Sequence, residues 1–167
     1  MKVLVFSDTH GSGAAAKALE RLDEKFKPDL FICLGDILAA GEGCELIKFF
    51  QLHASKIIAV KGNCDSRYDE GLLNVALRDN RSFNYLGHTC HLSHVPFYDS
   101  LHFPPSHIVM YGHTHRKRLE SEKGVLYLNP GSLGLPRDGI ASYALMEDEK
   151  ITLQNRDTDE ILQEFSF

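Results

Sequence analysis

The sequence predicts an α/β fold with two sheets and helices on the outside, and three observations support this. The first 63 residues run strand, helix, strand, helix, strand. Beyond them, short strand-like pieces follow one another closely. A short polar cluster also closes each of the first three strands, at the same place in each unit. Repeated β-α units give parallel strands with right-handed crossovers, and they set the strand C-termini on one edge, where ligands bind.

Residues 2 to 6 read as a buried strand ending at Phe6. After Gly11 and Gly13, the residues Ala15, Ala18, Leu19, Leu22 and Phe26 recur at helical spacing, until Pro28 and Asp29 stop the helix. Leu30 to Leu34 is the second strand, Leu46, Phe49 and Phe50 mark a second amphipathic helix, and Ile57 to Val60 is the third strand. A short helix is expected over Leu72 to Leu77. Strand-like pieces follow at Ser82 to Leu86, Thr89 to Ser93 and Ile108 to Tyr111, then at Leu119 and Val125 to Leu128 around a Glu122-Lys123-Gly124 turn. Ala141 to Met146 and Ile151 to Gln154 form a hairpin, and Glu160 to Phe167 alternates weakly, as an edge strand does. Pro96 to Pro105 reads as a loop over the strand ends. There is no repeat and no linker, so residues 1–167 are expected to form one domain.

Composition narrows the function. A formal charge of −5 argues against extended nucleic-acid binding through a basic surface. The longest apolar run is far too short to cross a bilayer, and no secretory signal is expected, because Met1 to Phe6 reads as a short strand that meets Ser7-Asp8 at once. Cys33, Cys44, Cys64 and Cys90 lack CxxC spacing, as expected of reduced thiols in a cytoplasm.

The chemistry lies in the polar clusters: Asp8-Thr9-His10, Gly35-Asp36, Gly62-Asn63 and Gly112-His113-Thr114-His115, with His94 closing the strand before it. Each is a weak signal alone, since Asp, Asn and Gly serve turns and caps. Their recurrence at successive strand ends is what points to one site. In an extended backbone Asp8 and His10 would point to the same side. His88, His91, His102 and His107 read as surface or loop histidines, and His53 as a helix flank.

The set resembles the calcineurin-like metallophosphoesterase superfamily, whose pattern is Asp-x-His, Gly-Asp, Gly-Asn, a later His, and Gly-His-x-His. Ser7 to Gly11, Gly62 to Ser66, Tyr111 to His115, Asn129-Pro130-Gly131-Ser132 and Ala141-Ser142-Tyr143 extend the likeness, to the small bacterial and archaeal phosphodiesterases, over nearly the whole chain. The resemblance implies a four-layer fold, a two-sheet β-sandwich flanked by helices. It also implies a dinuclear, metal-dependent phosphodiesterase acting on a small phosphate ester. One ion would take Asp8, His10, Asp36 and His115, and the other Asp36, Asn63, His94 and His113, with Asp36 bridging. Oxygen and imidazole donors without thiolate suit Mn2+ first, with Fe, Zn or Ni also compatible. Two divalent ions and two carboxylates leave about +2 on the site to attract phosphate. A hydroxide held between the ions is the expected nucleophile.

Asn63, Cys64 and Asp65 are the implied catalytic positions, with Asn63 and Arg137 on the substrate; a solvated Arg137 is the alternative. Two departures stand out. Cys64 sits where the superfamily commonly has His, which removes an acid for the leaving group. Val95 follows His94 where Gly is usual, and its branched side chain narrows the space there. Asn129 and Ser132 are expected to fix the turn beneath the His113–His115 loop. The superfamily also contains a scaffold in the retromer complex, so an inactive scaffold or regulatory protein is the alternative function. Such a protein would be expected to lose metal-site histidines, whereas here all seven positions are filled. A homo-oligomer is compatible with the sequence.

Overall fold

The computed structural model describes residues 1–38, 43–96 and 103–167. The expected opening is present: β1 (Lys2–Phe6), α1 (Gly13–Phe26), β2 (Leu30–Cys33), α2 (Cys44–His53) and β3 (Ile57–Val60). Ser12 caps α1 by accepting from the Ala15 amide, and Lys27 ends it in the left-handed region just before Pro28.

The next helix departs from expectation. It is α3 (Arg67–Leu73), earlier than the Leu72–Leu77 segment, because Ser66 and Asp69 form a reciprocal capping box that fixes its start. Asn74, at φ 55°, then ends it, and Leu77 is free to enter a two-residue strand, β4 (Leu77–Arg78), paired with β3. The remaining strands are β5 (Asn80–Tyr85), β6 (His88–Ser93), β7 (Ile108–Met110), β8 (Lys117–Glu122), β9 (Val125–Pro130), β10 (Ser142–Glu147), β11 (Lys150–Asn155) and β12 (Ile161–Ser166).

They form a seven-stranded sheet, in the order β12-β11-β10-β1-β2-β3-β4, and a five-stranded sheet, β5-β6-β7-β9-β8. The pairs β1-β2, β2-β3, β3-β4, β6-β7 and β7-β9 are parallel. The two-sheet, helix-flanked α/β architecture read from the sequence is the observed one, and the tail is an edge strand as expected.

Side-chain parity explains why β1 and β2 read as continuous apolar runs. Leu4, Phe6, Phe31 and Cys33 face the cluster that includes Leu19 and Leu22 of α1 and Phe50 of α2. Val3, Val5, Ile32 and Leu34 face the second cluster, with Leu92, Met110 and Leu128 of the other sheet. Strands buried on both faces cannot alternate. Each fully buried Leu or Phe adds about 1.5–3 kcal/mol. No helix among the described residues is long and apolar enough to cross a membrane. All four cysteines are free, Cys33 and Cys90 buried, Cys44 and Cys64 exposed.

Candidate metal centre

The C-termini of β1, β2, β3, β6 and β7 meet at one edge, where their loops bind one another. The Asp8 amide donates to Gly35 O, His10 to Asp36 O and Gly11 to Ile37 O, while Gly112 donates to His94 O. Neither Asp8 nor His10 is extended. Their φ values are 54° and 46°, and Asp36, His113 and His115 are left-handed too, at 53°, 62° and 56°. The shared-side expectation for an extended Asp8-x-His10 therefore fails in its reason. These inter-loop bonds, not strand alternation, aim the two side chains.

The loops fit only with glycine at two close approaches. A Cβ on Gly62 would overlap the Asp36 carboxylate, and one on Gly112 would overlap the Ser7 hydroxyl. Asn129 holds the loop after β7 by donating to Gly112 O at 2.9 Å and Thr114 Oγ1 at 3.0 Å. Ser132 fixes its own turn, accepting from the Gly134 and Leu135 amides at 3.3 and 2.7 Å, and its hydroxyl also donates to Asp8 O at 2.7 Å, anchoring the β1 loop.

Two donor clusters result. Asp8, His10, Asp36 and His115 present ligand atoms all within 4.8 Å of one another, as do Asp36, His94 and His113. Asp36 belongs to both. Asn63 adjoins the second, its Oδ1 lying 2.9 Å from both His94 Nε2 and His113 Nδ1. Thus all seven residues expected to bind metal lie together.

The donor set fits divalent cations. His94 Nδ1 donates to Leu34 O at 2.7 Å and His115 Nδ1 to Leu135 O at 2.6 Å, so each turns its Nε2 inward, the atom that offers a lone pair when the ring is neutral. His10 Nε2 and His115 Nε2 then stand 3.3 Å apart. Asp8 Oδ1 is buried with no hydrogen-bond donor among the described residues. Burial pushes the Asp8 carboxyl up. Burial also pushes Asp36 up, but the His94 hydrogen bond, the Cys64 amide and the charges of His94 and His10 outweigh it and hold Asp36 at about 2. Imidazole nitrogens packed against two carboxylates, with one carboxylate oxygen lacking a donor, form a cage for positive charge.

The other expected site residues are placed differently. Asp65 is buried, and its oxygens accept from the amides of Asp36 (2.8 Å), Ile37 (2.8 Å) and Gly62 (2.7 Å), so it clamps the β2 loop to the β3 loop. Cys64 is exposed, and its amide donates to Asp36 Oδ1 at 2.9 Å. Its thiol is pushed up by burial and by Asp36. Arg137 is exposed, and its amide donates to His115 O at 3.0 Å, which sets it beside the first cluster. His53 lies on the α2 flank as expected, stacked on Phe49 and 3.1 Å from Asp23. His91 and His107 pair with each other at 2.9 Å. His102 and most of the expected Pro96–Pro105 loop lie outside the described residues. The clamp role of Asp65 and the carbonyls behind His94 and His115 were missed from sequence; an acid two places beyond Asn63 was the one available signal.

Comparison with known proteins places this geometry. Residues 1–150 match the model of the calcineurin-like phosphoesterase superfamily domain. The chain is 30% identical to Phosphodiesterase YfcE of Escherichia coli strain K12, over 92% of this chain and 91% of that protein. The solved structure of YfcE, described as a phosphoesterase from E. coli, superposes with a TM-score of 0.90 at 27% identity, covering 99% of each chain. Two more distant structures share the fold. One is an archaeal phosphodiesterase, with a TM-score of 0.72 at 22% identity over 100% of both chains. The other is Vps29 from Entamoeba histolytica in complex with zinc, with a TM-score of 0.72 at 19% identity over 99% of both.

Proposed function

The chain belongs to the calcineurin-like phosphoesterase superfamily, and on that premise we propose that it is a metal-dependent phosphodiesterase using two ions that share Asp36. One observation carries the reading: two donor clusters with a common carboxylate, in a chain 30% identical to a phosphodiesterase along almost its full length. Asp8, His10, Asp36 and His115 would hold one ion, and Asp36, Asn63, His94 and His113 the other. Mn2+ is the first assignment, with Fe, Zn or Ni compatible with the same donors. The free cysteines support a reducing, cytoplasmic setting.

When bound, the ions supply Lewis-acid charge and acidify water. The chain does the rest. His94 and His115 are locked in rotamer and tautomer by backbone carbonyls, so their donors need no reorganisation. Arg137, whose amide is bonded to His115 O, would meet a phosphate oxygen from the first-cluster side. No serine or cysteine side chain among the described residues is hydrogen-bonded to a histidine ring, so water rather than a side chain is the nucleophile.

A panel of phosphodiesters and phosphomonoesters assayed with Mn2+ tests this. Hydrolysis should favour diesters, stop on chelation, and place a single solvent oxygen in the product in labelled water. A trapped phosphoenzyme, or activity undiminished by chelation, would overturn it.

A further inference from the structure

Beside the second donor cluster lies a cavity of about 390 Å3, open to solvent. Among the described residues its walls include Asn63 and His94, which belong to the cluster, and Lys61, Asp79, Asn80 and Val95, which do not. It forms at the seam where the chain leaves one sheet for the other. Lys61 follows β3, and its amide donates to Arg78 O at 2.8 Å. Asp79 is the single residue between β4 of the seven-stranded sheet and β5 of the five-stranded one. Asn80 pairs in register with Ser93, the neighbour of His94.

Three exposed polar residues thus line one opening. No ion pair or hydrogen bond among the described residues engages the Lys61 ammonium, the Asp79 carboxylate or the Asn80 amide. Val95, 41% exposed, adds an apolar surface in their midst. Lys61 and Asp79 cancel in charge, and a carboxylate facing the opening repels a second phosphate. The cavity is at the small end for ligand sites, sized for one ring. An alkyl group would desolvate three polar side chains without bonding them. A ring bearing hydroxyls would satisfy all three, as donor to Asp79 and as acceptor from Lys61 and Asn80, with its C–H face on Val95.

We propose that this cavity is a subsite for one ester group of the diester, and that Asp79, Asn80 and Lys61 select a neutral, hydroxyl-bearing ring, a sugar or nucleoside, over an alkyl group. The proposal rests on the phosphodiesterase reading for the phosphate next door.

Calorimetric titration of the Mn2+-loaded protein with uridine 5′-monophosphate, ribose 5-phosphate and ethyl phosphate tests it, since all three carry the same phosphate. At least one ring-bearing ligand should bind about tenfold or more tightly than ethyl phosphate, the order expected when a site built for hydroxyls meets a ligand lacking them. Uridine monophosphate ahead of ribose phosphate identifies a nucleoside, and equal affinities a sugar. Asp79→Ala and Asn80→Ala should each cut the preference at least threefold; both side chains are exposed, so folding is not at stake. A general loss of site structure would weaken all three ligands alike and leave their ratio unchanged. Equal binding of all three by the wild type, or a preference that survives both substitutions, overturns the subsite. The p-nitrophenyl esters of uridine monophosphate and ethyl phosphate separate the two claims. If neither is hydrolysed while the binding preference stands, the phosphodiesterase reading falls and the subsite remains.

Discussion

Asp8, His10, Asp36, His113 and His115 are left-handed residues that are not glycine, a conformation costing about 1 kcal/mol or more each. Such strain persists only where the surroundings fix it, here the bonds between loops. The identities of these residues were legible in the sequence, because carboxylate and imidazole recur at successive strand ends. Their conformations were not, because nothing in Asp-x-His signals positive φ. Asp36 is the most sensitive position. Asp36→Asn keeps the shape but removes an anion from both clusters, and hydrolysis should fall at least a hundredfold with weakened metal binding, read by a metal titration. Cys64 should matter mainly through its amide, which donates to Asp36 Oδ1 at 2.9 Å, while its thiol accepts from Asn63 Nδ2 at the longer distance of 3.3 Å. Cys64→Ala keeps that amide, so diester activity should stay within about tenfold. Loss beyond about a hundredfold with metals bound would show that the thiol takes part in the chemistry.

Among the elements, the strand runs were legible because burial on one or both faces leaves an apolar pattern. The strand β4 and the start of α3 were not: a two-residue strand carries no period, and the capping box at Ser66 outranks the apolar spacing of Leu72 to Leu77. Asp65 is the clamp between two of these elements. Asp65→Ala would leave three amides without their acceptor, at about 1–3 kcal/mol for each that stays buried. Asp65→Asn should be milder, keeping the fold while lowering metal affinity about 10- to 100-fold, as losses behind a metal ligand do. Unchanged affinity in Asp65→Asn would argue against the clamp.

Asp159, in the turn between β11 and β12, joins that turn to α1 and β10, bonding Arg21 at 2.6 and 2.9 Å, Lys25 at 2.7 Å and the Tyr143 hydroxyl at 3.0 Å. The Arg21 bond, with help from Lys25 and Tyr143, holds its carboxyl at about 2, below the ordinary 3.8. A depressed carboxylate stabilises the fold above its unfolded value and loses that contribution as pH falls from about 4 to about 2. Asp159→Asn should therefore melt a few degrees below wild type at pH 7, with the gap closing near pH 2. Melting curves at the two pH values check this, and a gap constant with pH would contradict it.

For the molecule as a whole, the two sheets share one core, with Val5, Ile32, Leu92 and Leu128 in the same cluster. Gln163 of β12 also reaches Leu119 O of β8 at 2.7 Å, across from one sheet to the other. We propose that residues 1–167 unfold as a single domain in one cooperative transition, which bound divalent metal should shift upward because the site exists only in the folded chain. The architecture was legible from the order of elements, whereas the cavity at the sheet seam was not, since Lys61 and Asp79 are brought together only by the pairing of β3 with β4. The central claim is that Asp36 serves two ions at once, and elemental analysis of the Mn2+-reconstituted protein alongside its Asp36→Asn variant tests it most directly. Two ions per fully active wild-type chain are expected, with at most one retained in an inactive variant. One ion per fully active chain, or a variant that keeps both ions and its activity, would contradict it.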